Sequence, residues 1–77
     1  MKLKIRTFGK FTEIITDKYL ELEDHFDTDH LRIELEKKYP TFKNSKCFLV
    51  VDNKMVLENT LLNEHSAVDI MPPFSGG

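Results

Sequence analysis

The residues with the most chemical potential in this chain of 77 are its last six, Pro72-Pro73-Phe74-Ser75-Gly76-Gly77. Proline cannot donate a ladder hydrogen bond, so a strand stops at Pro72 and Pro73. Two prolines also favour a stiff polyproline segment that projects the last four residues away from the body. Gly76 and Gly77 carry no side chains, so this end can thread a narrow channel into another protein's active site. Its carboxylate is unhindered. A carboxylate is a poor electrophile until it becomes a mixed anhydride with AMP. A sulfur nucleophile then displaces AMP and leaves a thiocarboxylate, a reactive sulfur donor. A side chain at Gly77 would crowd both displacements. Glycines at a chain end are often only a frayed terminus. A diglycine just after a double proline and a closing strand is a much stronger sign than a diglycine alone.

Other residues are weaker candidates. Cys47 is the lone cysteine. A persulfide relay is one reading; a small buried hydrophobe is the favoured one. With one cysteine, an internal disulfide and a multi-cysteine zinc site are both excluded. His25 and His30 flank a helix start at a spacing that does not put both on one helical face, and His65 is distant in sequence. They read as solvated surface histidines, with no metal site. Asp24, Asp27 and Asp29 form an acidic group without the glycine and closing glutamate of a calcium loop. Carboxylates near the positive end of a helix explain them better.

Size and charge bound what these residues can serve. The chain is a single domain, and one this small buries only about 60% of its unfolded surface. Its core supplies about 3–5 kcal/mol of net stability. A deep, self-sufficient active site is therefore not expected; a carrier, adaptor or subunit fits better. Hydrophobic residues make up 40%, charged residues 31%, and six Phe and two Tyr argue for a packed core. The net charge of −2 and pI near 5.9 give no nucleic-acid footprint. The longest apolar run, residues 47–51, is too short to cross a membrane. No signal peptide is recognisable at the start, and the chain reads as cytoplasmic.

The elements that must position the tail can be read from periodicity. Residues 2–8 alternate, with Leu3, Ile5 and Thr7 on one face and Lys2, Lys4, Arg6 and Phe8 on the other. Phe8 is either a loop aromatic folded onto the core or an exposed contact. Residues 9–15 suggest a brief helix or turn, Asp17-Lys18 a hairpin turn, and 19–23 a second strand with Leu20 and Leu22 inward. Asp27 and Thr28 are good helix N-caps. Leu31, Leu35 and Tyr39 then form one helical stripe, which Pro40 ends, with Ile33 off the stripe. The unbroken run Cys47-Phe48-Leu49-Val50-Val51 predicts a central strand buried on both faces. Asp52-Asn53 marks a turn, residues 54–56 a short return strand, and residues 67–71 a last strand with Val68 and Ile70 inward, Asp69 and Met71 outward. This order predicts an α+β fold: a mixed sheet with one main helix packed across it, the β-grasp or ubiquitin-like roll. The expected division is a domain over 1–71 and a flexible tail over 72–77.

On these residues the chain resembles the small subunit of molybdopterin synthase, a ubiquitin-like sulfur carrier. Met71-Pro72-Pro73-Phe74-Ser75-Gly76-Gly77 matches the family's apolar-Pro-Pro-x-x-Gly-Gly ending. Leu31 to Pro40 matches its Leu-x3-Leu-x3-Tyr-Pro pattern, Val51-Asp52-Asn53 sits at its Val-Asn turn, and Lys4-Ile5 opens its first strand. Two departures are His65-Ser66, where the family often has Gly-Asp, and Phe8-Gly9, where it often has Phe-Ala. Histidine tolerates positive φ better than most residues, so the turn at His65-Ser66 is expected to survive.

The resemblance implies that Gly77 is adenylated by a ubiquitin-activating-type adenylyltransferase and converted to a thiocarboxylate. It implies delivery of sulfur, inside the large synthase subunit of a heterotetramer, to cyclic pyranopterin monophosphate to make the molybdopterin dithiolene. This chain would be the non-catalytic donor subunit, with Pro72, Pro73, Phe74, Ser75 and Gly76 threading the partner. It would hold no cofactor, since ATP and magnesium belong to the activating enzyme. Phe8, Met55 and Met71 would dock partners, as apolar side chains near the tail do at interfaces. The alternatives are a carrier for another pathway, such as the thiamine thiazole, which usually lacks Pro-Pro, and a ubiquitin-like protein modifier joined through Gly77. A plain ubiquitin-like binding domain with an inert end is the remaining reading.

Overall fold

The computed structural model describes residues 1–23 and 26–73. Asp24, His25, Phe74, Ser75, Gly76 and Gly77 lie outside the described residues, and with them most of the expected tail. The elements run β1 (Lys2–Thr7), α1 (Phe11–Ile14), β2 (Tyr19–Glu21), α2 (Thr28–Lys38), a 3-10 turn (Pro40–Phe42), β3 (Phe48–Val51), β4 (Lys54–Val56) and β5 (Ala67–Met71). One mixed sheet orders them β2-β1-β5-β3-β4. β1 and β5 are parallel neighbours at its centre, and the remaining pairs are antiparallel.

The helix starts where sequence chemistry places it. Asp27 is the N-cap, its side chain accepting the His30 N–H at 2.8 Å. Lys37 and Lys38 fill the last turn, where they oppose the negative helix end. Leu31 and Leu35 pack on the inner sheet face, which presents Leu3, Ile5, Leu20, Leu49, Val51, Val68 and Ile70, all buried. Phe11 from α1 meets Phe42 from the 3-10 turn edge-on, centroids 5.5 Å apart, closing one end of the core. Tyr39, last of the stripe, is half-buried; its hydroxyl bonds the Asp17 carboxylate, which also holds Lys38 at 2.5 Å. Ile33 is exposed, as its place off the stripe requires.

β3 departs from expectation. Leu49 and Val51 are buried, but Phe48 and Val50 are only half-buried. α2 covers one face of the sheet, and nothing among the described residues covers the other, so an unbroken apolar run here has an inner and an outer half. Cys47 precedes the strand and is half-buried too. Strands β1 and β2 are also shorter than the periodicity suggests, ending at Thr7 and Glu21. The β3–β4 hairpin has Asp52 at φ 49 and Asn53 at φ 70, a type I′ turn whose two central residues are left-handed. The turn before β5 needs no such residue. Asn63 N–H donates to Ser66 Oγ at 3.0 Å, and His65 N–H to Asn63 Oδ1 at 2.7 Å, so side chains close it.

Candidate functional site

The site is built around the end of β5. Met71 is its last residue; Pro72 comes next, half-buried, and Pro73 is exposed. Being central, β5 is held on both sides, by β1 from Lys4↔Ala67 to Thr7↔Ile70 and by β3 from Phe48↔Met71 to Val51↔Val68. The chain therefore leaves the sheet from a fixed point.

Register places the residues around that point on the open face. Arg6, Asp69, Val50 and Met55 form one rung across β1, β5, β3 and β4. Met71 and Phe48 form the next, and Phe8 comes after Thr7 at the same end, its N–H donating to the Ile70 carbonyl at 3.1 Å. Phe8 is 40% and Met55 48% exposed, whereas Met71 is half-buried. Phe8 is therefore exposed and not folded back onto the core. The residues that periodicity missed are Phe48 and Val50, which join this apolar surface. Strand parity was the available signal: if Leu49 and Val51 face in, their neighbours face out.

Asp69 lies on this face yet is buried, because Arg6 lies against it. Arg6 Nε and Nη2 reach the two carboxylate oxygens at 2.6 and 3.0 Å. The fork geometry is the strong, bidentate kind, and the Asp69 hydrogen bond and charge push the guanidinium above its ordinary value. On the β2 side the face carries exposed Lys2, Lys4 and Glu21, with Lys2 opposite Glu21 and its ammonium 4.7 Å from the Tyr19 ring centroid.

The weaker candidates have structural partners. Cys47 Sγ accepts from Arg32 Nη2 at 3.2 Å, in a cleft of about 330 Å³. Burial pushes the thiol up, against the opposing pull of Arg32. A thiol raised in this way is a poor nucleophile. His30 Nδ1 sits 2.6 Å from Asp27 Oδ1, and His65 Nε2 3.5 Å from Glu64. Asp27 is held at about 2, first by the His30 backbone N–H and then by Asn59 and the His30 ring. Asn59 also accepts the Asp29 N–H at 2.9 Å, so it ties the helix start to the β4–β5 connection. Among the described residues no three His, Cys, Asp or Glu side chains gather as a metal site, and no helix is long and apolar enough to cross a membrane.

The ThiS family profile matches residues 5–77, nearly the whole chain. The chain belongs to the ThiS family. It is a ubiquitin-like protein of the sulfur-carrier type. No curated protein sequence matches it. Among solved structures, a Pyrococcus furiosus protein described as molybdopterin converting factor, subunit 1, superposes with a TM-score of 0.84 at 20% identity, covering 94% of this chain and 97% of that one. The small archaeal modifier protein 1 of Methanosarcina acetivorans gives 0.75 at 23%, over 99% and 96%. A complex of subunits 1 and 2 of the Helicobacter pylori molybdopterin-converting factor gives 0.68 at 23%, over the full length of both chains. At these identities the likeness is one of fold, and the fold is the β-grasp.

Proposed function

We propose that this chain is the sulfur-donor subunit of a molybdopterin synthase. The observation that carries the reading is the course of β5. The central strand of the sheet runs directly into Pro72-Pro73-Phe74-Ser75-Gly76-Gly77, beside an apolar open face. A body-anchored strand, a stiff double proline and a side-chain-free end suit delivery of a carboxylate into another protein. In the first step a terminal carboxylate oxygen of Gly77 attacks the α-phosphorus of ATP and pyrophosphate leaves. A hydrosulfide equivalent then attacks the acyl carbon, AMP leaves, and the thiocarboxylate remains. ATP and magnesium would be used by the activating enzyme, and sulfur acceptance by cyclic pyranopterin monophosphate would take place in the large subunit. The Helicobacter pylori complex of subunits 1 and 2 supports a large-subunit partner for this fold.

Intact mass spectrometry tests the reading. The chain is incubated with an activating enzyme, ATP and a sulfur donor, beside a Gly77-deleted control. A gain equal to one oxygen-for-sulfur exchange, absent in the control, is expected. No gain with a competent enzyme overturns it. The likeness to a small archaeal modifier keeps one second reading in view: higher-mass conjugates in cell extract, dependent on Gly77, would mark a protein modifier.

A further inference from the structure

β1 and β5 run parallel and finish at the same end of the sheet, where their continuations meet. β1 continues through Phe8 into Gly9, which adopts φ +59. β5 continues into Pro72. A Cβ added to Gly9 would lie 2.8 Å from Pro72 Cγ and 3.4 Å from its Cδ. Carbon atoms do not rest at 2.8 Å, so the proline ring fills the space a side chain at position 9 would need. The turn beneath the ring is held from three sides. Phe8 N–H donates to Ile70 O at 3.1 Å, Phe11 N–H to Phe8 O at 3.2 Å, and Thr12 donates to Gly9 O from N–H at 3.2 Å and from Oγ1 at 2.9 Å. Glycine is thus required twice here, for the left-handed backbone and for the seat of the ring.

We propose that Gly9 is a positioning residue for the tail: by seating Pro72 against the end of β1, it sets the direction in which the chain leaves the sheet. This rests on the sulfur-carrier reading, because direction matters only if the end must reach a reacting centre. Residues 73–77 lie beyond Pro72, a reach of at most about 18 Å. A change of direction at Pro72 is passed on through the stiff Pro72-Pro73 pair to whatever follows it. A misplacement on the order of 1 Å already costs about 100-fold in rate at a reacting centre.

Two measurements test it. In the labelled full-length chain, a nuclear Overhauser cross-peak between Gly9 Hα and Pro72 Hγ is expected; its absence removes the contact and the proposal. Steady-state adenylation by an activating enzyme then separates docking from tail placement. Gly9→Ala is expected to lower kcat roughly tenfold or more with KM within about twofold. In a Pro72→Ala background, which lacks the ring carbon the new methyl meets, the same change is expected to cost under about threefold. An equal loss in both backgrounds, or a loss confined to KM, overturns the proposal. Should Gly9→Ala not fold, Pro72→Ala alone is expected to lower kcat several-fold at constant KM, and an unchanged kcat overturns it. Failure of the carrier reading shows differently: the wild-type chain does not turn over, which removes the positioning role while the cross-peak persists.

Discussion

Asp27 holds together more of the structure than any other carboxylate among the described residues. It caps α2, pairs with His30 and accepts from Asn59 Nδ2 at 3.1 Å. Its folded value of about 2 lies below the ordinary 3.8. The charged form is therefore the stabilising one. Its contribution is fully present above about pH 4 and is lost as pH falls through about 2. Replacing Asp27 with Asn keeps a capping side chain but removes the charge. Asp27→Asn is expected to have a lower urea midpoint than wild type at pH 7, with the gap narrowing as pH falls toward 2; a gap that does not change with pH would show the charge is immaterial. Met55 tests the open face at the same scale. Because it is nearly half exposed, Met55→Asp is expected to shift stability by under about 0.5 kcal/mol. Large-subunit affinity should fall roughly tenfold or more, as for an interface anchor. Calorimetric titration measures the affinity, and a thermal melt the stability. Met71 is a poorer probe, since it is half-buried and a charge there would perturb folding as well as docking.

At the scale of elements, the β3–β4 turn and its return strand were legible to the residue. Asp52-Asn53 is a turn signal, and a strand comes directly after it at Lys54–Val56. Asp52 is fixed twice to β5, its Oδ1 accepting from Ala67 N–H at 2.9 Å and its own N–H donating to Ala67 O at 3.0 Å. Asn53 has no such tie and needs only its left-handed backbone. Asn53→Gly is therefore expected to raise stability by a few tenths of a kcal/mol, up to about 1. Asn53→Ile, which resists positive φ, should lower it by about 1–2 kcal/mol. Chemical denaturation reads both, and equal midpoints would deny the turn its left-handed form. The helix was equally legible, since cap, stripe and Pro40 all reside in local sequence. β3 was not. An apolar run of five states that a strand is buried, but how many layers cover it depends on the rest of the chain. The burial of Asp69 was hidden for the same reason. Its cover is Arg6, 63 positions away in sequence and adjacent only because β1 and β5 pair.

For the molecule as a whole, one helix against one sheet face is the main hydrophobic arrangement. Leu31 is fully buried at its centre. Leu31→Ala is expected to cost about 2–5 kcal/mol, comparable to the roughly 3–5 kcal/mol a core of this size supplies. The variant should therefore lose its cooperative melt and its dispersed amide spectrum; a sharp transition within a few degrees of wild type would refute this. The fold class was readable because strand, helix and turn signals agreed with one another along the chain. The strand order was not, because the parallel pairing of the first and last strands is set by the closure of the sheet and leaves no local trace. That pairing has a mechanical consequence. β1 and β5 lie side by side and point the same way, so opposite pulls on the two ends of the chain slide one strand along the other. All the hydrogen bonds between them then share the load and must fail together, whereas pulling a hairpin apart from its open end breaks them one after another. Pulled between its two ends, the domain is in this way expected to be harder to open than its small core would suggest.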